Sequence, residues 1–275
     1  MRRSLLVLMI MVAGCTAGRN GARPVNGQQA SGPDVIASSL VTDGKLWASF
    51  FQQRSAEYRA LCQQAFNIAK GRVDEVAGRQ TLRPLAIVTD IDETFLDNSP
   101  YAVHQALKGK DYEAGSWAEW TSMGKADTLQ GSLSFFSYAA SKGIEIFYIT
   151  NREEKERTGT LANLRRFGFP YADEKHLLLR SEGSGKEPRR QQVATTHDIV
   201  LLLGDNLADF SPLFDKKMET ERAANVSLVA SEFGNRFIIL PNTTYGGWEE
   251  SFYQFNFKQT EAAKDSIIRA ALKGY

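Results

Sequence analysis

Four apolar runs, each ending abruptly in acids, a hydroxyl or an amine, constrain how this chain can fold. Leu85 to Val88 leads through Thr89 into Asp90 and Asp92. Ile144 to Ile149 stops at Thr150-Asn151-Arg152. His176 to Leu179 gives way to a Gly/Ser loop that reaches Lys186, and Leu201 to Leu203 ends in Gly204-Asp205-Asn206-Leu207-Ala208-Asp209. Short apolar runs alternating with helical stretches predict a parallel, doubly wound α/β sheet with helices on both faces. In such sheets ligands gather beyond the carboxyl ends of the strands, where these polar residues stand.

The residue types at those ends fit one chemistry. Asp90 and Asp92, one residue apart with no base beside them in sequence, repel each other unless a cation or a shared proton intervenes. A hard divalent ion with oxygen ligands, Mg²⁺, is the economical answer. One carboxylate is then available as nucleophile and its neighbour as acid/base. Asp-x-Asp-x-Thr alone also suits a solvated acidic turn. With Thr150, Lys186, Asp205 and Asp209 added, the chain carries a nucleophile, donors for phosphate oxygens and carboxylates for a metal, the set phosphoryl transfer needs. Thr150 also suits a helix cap, and Lys186 a solvated loop position with Lys175 or Arg180 in its stead.

Competing chemistries lack their parts. The three histidines, His104, His176 and His197, lie far apart in sequence and form no zinc-type cluster, and read as surface or core residues. No Arg-His-Gly element is present, and Cys62 has Ile68 where a cysteine phosphatase needs arginine. Gly183-Ser184-Gly185-Lys186 resembles the end of a P-loop, but Arg180 replaces its first glycine and Glu187 its Ser/Thr.

The order Asp-x-Asp-x-Thr, Thr, Lys, Gly-Asp-x-x-x-Asp resembles the haloacid-dehalogenase (HAD) superfamily of phosphohydrolases. Asp-Ile-Asp-Glu-Thr-Phe-Leu-Asp-Asn-Ser-Pro-Tyr (90–101), Phe-Tyr-Ile-Thr-Asn-Arg (147–152) and Gly-Asp-Asn-Leu-Ala-Asp-Phe (204–210) are similar to the class C acid phosphatases, the bacterial lipoprotein e family of 5′-nucleotidases. Phe-Gly-Asn-Arg-Phe-Ile-Ile-Leu-Pro-Asn (233–242), followed by Tyr245-Gly-Gly-Trp248-Glu249, extends the resemblance over roughly residues 40–255. It implies that Asp90 attacks phosphorus and Asp92 serves as acid and then base. It implies Mg²⁺ on Asp90, on the main-chain carbonyl of Asp92 and on Asp205. Thr150 and Lys186 would bind phosphate oxygens, with Asp209 and Asn151 in support. Trp120 and Tyr245 fall where such proteins present aromatics to a nucleotide base, which either stack on the substrate or pack the cap. Small phosphomonoesters such as nucleoside monophosphates are the implied substrates. A surface lipoprotein that mainly binds a ligand or scaffolds the envelope, with a vestigial site, is the alternative; the intact set of four motifs favours the enzyme.

The amino terminus bears on location. Arg2-Arg3 precede an apolar stretch, Leu5 to Ala13, and Val12-Ala13-Gly14-Cys15 resembles a lipobox. Residues 1–14 are expected to be a signal peptide and Cys15 a lipid-modified first residue, anchored most simply in the outer membrane. Removing Arg2 and Arg3 leaves 31 basic against 32 acidic residues, a balance that asks for no nucleic acid polymer. Residues 15–40, rich in Gly, Ala, Ser, Asn, Gln and Pro, read as a flexible tether, leaving 41–275 as one phosphatase domain. Trp47, Phe51, Tyr58, Cys62, Phe66, Ala69, Val73 and Val76 predict one long amphipathic helix. Residues 98–141, with Trp117, Trp120, Phe135, Phe136 and Tyr138, read as a small, mostly helical cap over the strand ends.

Overall fold

The computed structural model describes residues 39–180 and 183–275. The leader, Cys15 and nearly all of the tether lie outside the described residues. Among the described residues no helix is long and apolar enough to cross a membrane.

Two helices, α1 (Leu40–Arg54) and α2 (Ala56–Val76), precede the first core strand β1 (Leu85–Thr89). A short ribbon of β2 (Leu96–Asp97) and β3 (Asp127–Thr128) brackets α3 (Ser99–Ala106) and α4 (Ala114–Ser122). Then follow α5 (Ser132–Ser141), β4 (Glu145–Ile149), α6 (Arg157–Phe167), β5 (Leu177–Leu178), α7 (Glu187–Ala194) and β6 (Asp198–Gly204). The chain ends with α8 (Glu219–Leu228), β7 (Phe237–Ile239), α9 (Gly247–Phe252) and α10 (Glu261–Ala271).

The main sheet has the order β5-β4-β1-β6-β7, and every pairing in it is parallel. The chain leaves β1 to one side for β4 and β5, then returns to the other for β6 and β7. The direction of winding therefore reverses at β1, and such a switch point opens a crevice at the strand ends. Alternation along the strands divides the core. Ile87, Ile146, Tyr148, Leu201 and Leu203 join α2, α5 and α6 on one face. Ala86, Val88, Phe147, Ile149 and Leu202 pack with Val193 of α7, Phe210 and Phe237 on the other. Phe136, fully buried, meets Phe66, Phe95, Phe135 and Phe169; its truncation to alanine would cost about 3–5 kcal/mol.

The long amphipathic helix expected over 47–76 is broken in two. Ser55 is extended and its hydroxyl accepts the Tyr58 N–H, capping α2. Trp47 and Phe51, expected on the buried stripe, are exposed at 72% and 40%. α1 instead buries Val41, Thr42, Ser49 and Gln52, and Gln52 donates to Asp97 at 2.7 Å. A period-based stripe cannot register a change of face at a mid-sequence cap.

The cap is also shorter than residues 98–141. α5 is the crossover between β1 and β4, and its Phe135, Phe136 and Ala139 lie in the main core. Aromatic composition does not tell a crossover helix from a lid; the parallel β1–β4 pairing, which needs such a crossover, does. His176 and His197 come together at the far end of β4, buried around Glu145 at 2.9 and 3.4 Å.

Candidate active site

The site forms because β1, β4 and β6 end side by side. Thr89 is opposite Tyr148 and Leu203 in register, and the Asp90 N–H donates to the Leu203 carbonyl at 2.9 Å. After Asp90 the chain turns tightly, with the N–H groups of Thr94, Phe95 and Leu96 all donating to the Ile91 carbonyl. Glu93 takes a left-handed conformation in this turn (φ 56°) although it has a side chain, a local strain that surrounding contacts must sustain.

Asp90, Asp205 and Asp209 bring carboxylate oxygens within 4.8 Å of one another. Lys186, at the start of α7, inserts its ammonium between Asp90 and Asp209, 2.7 Å from the latter. Asp209 also accepts the Asn206 N–H at 3.0 Å. Gly204 is required here, since a Cβ would lie 2.4 Å from Asp209. Thr94 Oγ1 lies 3.4 Å from Asp90 Oδ2 and 3.1 Å from Asp205 Oδ1, and Asn242 donates to the other Asp205 oxygen at 2.7 Å.

Three carboxylates to one ammonium leave excess negative charge in a buried place. Burial, with the charges of Asp209 and Asp92 and against that of Lys186, pushes the Asp90 carboxyl up to about 6. Burial and then Asp209 and Asp90 raise Asp205 well above the ordinary range. For Lys186 burial opposes the charged form, but Asp209 and Asp90 outweigh it and raise the ammonium. Asp205 forms no ion pair among the described residues, whereas Asp90 and Asp209 share the Lys186 ammonium. Asp90, Asp205 and Asp209 together could hold a cation, and hard oxygen donors suit a hard divalent ion.

A second group adjoins the first. Arg152, 2% exposed, donates to both oxygens of Asp92 through Nε at 3.1 and 3.2 Å, and through Nη2 to Oδ1 at 2.7 Å. Asn98 Nδ2 adds a bond to Asp92 Oδ1 at 2.9 Å. Thr150, fully buried, donates weakly to Asp92 Oδ2 at 3.4 Å and accepts the Arg152 N–H at 3.2 Å. Its hydroxyl thus closes a local turn and belongs to the site; the helical turns that follow are capped by Glu153 and Glu156, not by Thr150. Arg189 donates to the Thr150 carbonyl at 2.5 Å and to Asn151 Oδ1 at 2.8 Å, which turns Asn151 into a brace.

Trp120 and Tyr245 both reach the turn after Asp90. The indole N–H donates to Asn98 Oδ1 at 2.8 Å, and the Tyr245 hydroxyl donates to Glu93 Oε2 at 2.5 Å. Burial, then the Asp92 charge, raises Glu93 to about 8 against its bonds from Tyr245 and Asn98.

The structure therefore unites Asp90, Lys186, Asp205 and Asp209 in one cluster and sets Asp92 and Thr150 beside it. Sequence reasoning missed the parts played by Arg152, Asn98, Glu93, Thr94, Arg189 and Asn242. Arg152, Asn98 and Asn242 lie inside the stretches that carry the resemblance, but no spacing states what an Arg or Asn there touches.

Comparison with known proteins agrees with this geometry. Residues 21–248 match the family described as HAD superfamily, subfamily IIIB (acid phosphatase). The structure is similar to the class C acid phosphatase from Bacillus anthracis, with a TM-score of 0.82 and 41% identity, over 86% of this chain and 99% of that one. A second crystal structure of that enzyme, with tungstate bound, matches with the same score and identity over 85% and 98%. Acid phosphatase 1 of Solanum lycopersicum is 31% identical over 130 residues, 44% of this chain and 50% of its own. The stem 28 kDa glycoprotein of Glycine max is 25% identical over 167 residues, 58% and 62% of the two chains. The match thus spans half to two thirds of these plant proteins.

Proposed function

The chain belongs to the acid phosphatases of HAD subfamily IIIB, and from that premise we propose that it hydrolyses phosphomonoesters through an aspartyl-phosphate on Asp90. The observation that carries this reading is the cluster of buried Asp90, Lys186 and Asp209 with half-buried Asp205 at the switch point of the sheet. It offers a nucleophile, a fixed ammonium and a place for a cation within a few ångströms.

In this mechanism an Asp90 oxygen attacks phosphorus as the bond to the ester oxygen breaks. Asp92 gives its proton to the departing alkoxide. The carboxylate so formed takes a proton from water, whose oxygen then displaces Asp90 and releases phosphate. Lys186 and Thr150 hold non-bridging oxygens, while Asp209 fixes Lys186 and Asn151 supports the Thr150 loop. A divalent cation, Mg²⁺ in our reading, would be held by Asp90, the Asp92 carbonyl and Asp205, and when bound it supplies neutralising charge for the phosphoryl oxygens. Tungstate, bound in the Bacillus anthracis enzyme, is an oxyanion of phosphate's shape, in keeping with this use of the site.

We assign 5′-nucleotides as preferred substrates, with Trp120 and Tyr245 as candidate platforms for the base, and the envelope as the place of action, through a lipid on Cys15. The test is a phosphate-release screen over nucleotides, sugar phosphates and phosphoprotein, with and without EDTA, on wild type and Asp90→Asn. Release that chelator abolishes, that Mg²⁺ restores and that the variant lacks is expected. Substantial turnover by Asp90→Asn would refute the covalent mechanism.

A further inference from the structure

Asn98 joins two things that the reaction scheme treats separately. Its side chain is 3% exposed and its bonds run in opposite senses. Nδ2 donates to Asp92 Oδ1 at 2.9 Å and lies 3.4 Å from Glu93 Oε2. Oδ1 accepts the Trp120 indole N–H at 2.8 Å. The main-chain N–H donates to Glu93 Oε1 at 2.7 Å, and Glu93 accepts from Tyr245.

An indole can only donate, and Asp92 Oδ1 accepts from Asn98. A primary amide accepts from the indole through its oxygen and donates to the carboxylate through its nitrogen, so both ends of Asn98 are fixed at once. We propose that Asn98 is a positioning residue that couples the seat of Trp120 in the cap to the orientation of Asp92. Arg152 grips Asp92 as well: Oδ1 takes Asn98 Nδ2 and Arg152 Nη2, and Arg152 Nε is shared between the two oxygens. Oδ2, which meets only that shared Nε at 3.2 Å and Thr150 at 3.4 Å, is the less firmly held oxygen and the one that carries the proton to the leaving group. Movement of α4 over a substrate is then felt at Asp92 through one amide. This rests on the reading of Asp92 as the acid.

The test separates positioning from general damage by the leaving group. Glycerol phosphate releases an alkoxide that must be protonated and has no base to stack. p-Nitrophenyl phosphate releases a phenolate that needs no proton. The quantity to compare is kcat/KM, which reports the steps through departure of the alcohol. Asn98→Ala is expected to lose on the order of tenfold or more on glycerol phosphate, part of the hundredfold or greater contribution of a placed general acid, with little loss on p-nitrophenyl phosphate. Trp120→Phe keeps a ring but removes the N–H, and should show the same bias. The double variant should be no worse than Asn98→Ala, since both cut one chain of contacts. Equal losses on the two esters, or additive losses in the double variant, would overturn the coupling. If Asn98→Ala does not fold, by circular dichroism, Trp120→Phe alone decides it. Asp92→Asn is the control for the premise. If it too treats both esters alike, the acid role fails; if it discriminates while Asn98→Ala and Trp120→Phe do not, only the coupling fails.

Discussion

Arg152 holds both oxygens of Asp92 from a seat with almost no solvent, and Trp117 lies across the guanidinium at 5.7 Å. Removing one partner of such a pair strands the other. Arg152→Ala is expected to lower stability by about 3 kcal/mol, read as a shift in the urea midpoint, and to abolish turnover. Arg152→Lys keeps charge without the two-point grip and should recover only part of either.

Asp90→Asn should stabilise the metal-free protein in a pH-dependent way. Its carboxyl is pushed up to about 6 by burial first and by neighbouring acids second. A raised value means that the folded state favours the proton. That stabilisation is complete below the unfolded value of 3.8 and lost as pH rises through about 6. A permanently neutral Asn avoids the loss. Melts in EDTA should show the variant ahead at pH 7.5 and level with wild type near pH 4; a lead unchanged by pH would contradict the electrostatic cause.

Glu145 gives the opposite sign. The hydrogen bond from His176 foremost, with Lys175 and His197, lowers its carboxyl to about 2. Stability from a lowered carboxylate is present above the unfolded value of 4.5 and disappears as pH falls through about 2. Glu145→Gln is therefore expected to destabilise at pH 7, to lose that penalty progressively below pH 4.5, and to leave kcat/KM unchanged. Urea titrations across that range check it.

Truncating Trp120 or Tyr245 to alanine should raise KM for nucleoside monophosphates ten- to a hundredfold, matching the roughly 1–3 kcal/mol of a stacked base. p-Nitrophenyl phosphate, with no base, should lose less. Equal rises in KM on both would mean that these rings only pack the cap.

On the proposal that a lipid on Cys15 anchors the chain, Cys15→Ser should release the protein from membranes or leave its leader uncleaved. Mass spectrometry of the mature amino terminus decides it; an unmodified terminus beyond Cys15 would rule the anchor out.

What could be read from the sequence follows a physical line. Strand ends such as Val88-Thr89-Asp90 and Leu203-Gly204-Asp205 were legible because an apolar run that stops at an acid is a one-dimensional signal. The α1–α2 break was not, because Ser55 acts as a cap only through its conformation. Nor was the role of Asn98, which depends on Trp120 approaching from another element. α5 was misplaced because a crossover helix and a lid share aromatic content and differ only in what they cover.

Thr94 touches both Asp90 and Asp205, residues whose strands are separated by the cap and three crossovers, and its partner Asp205 stands 111 positions along the chain. Closing so long a loop costs entropy and slows its pairing relative to local helix formation. Hydrolysis regained after dilution from denaturant is thus a clock for the docking of β6 on β1. Helical ellipticity, which α2 and α5 can return early, keeps a different time, and the interval between the two signals measures how long the molecule waits, shaped but inert, for this long-range contact.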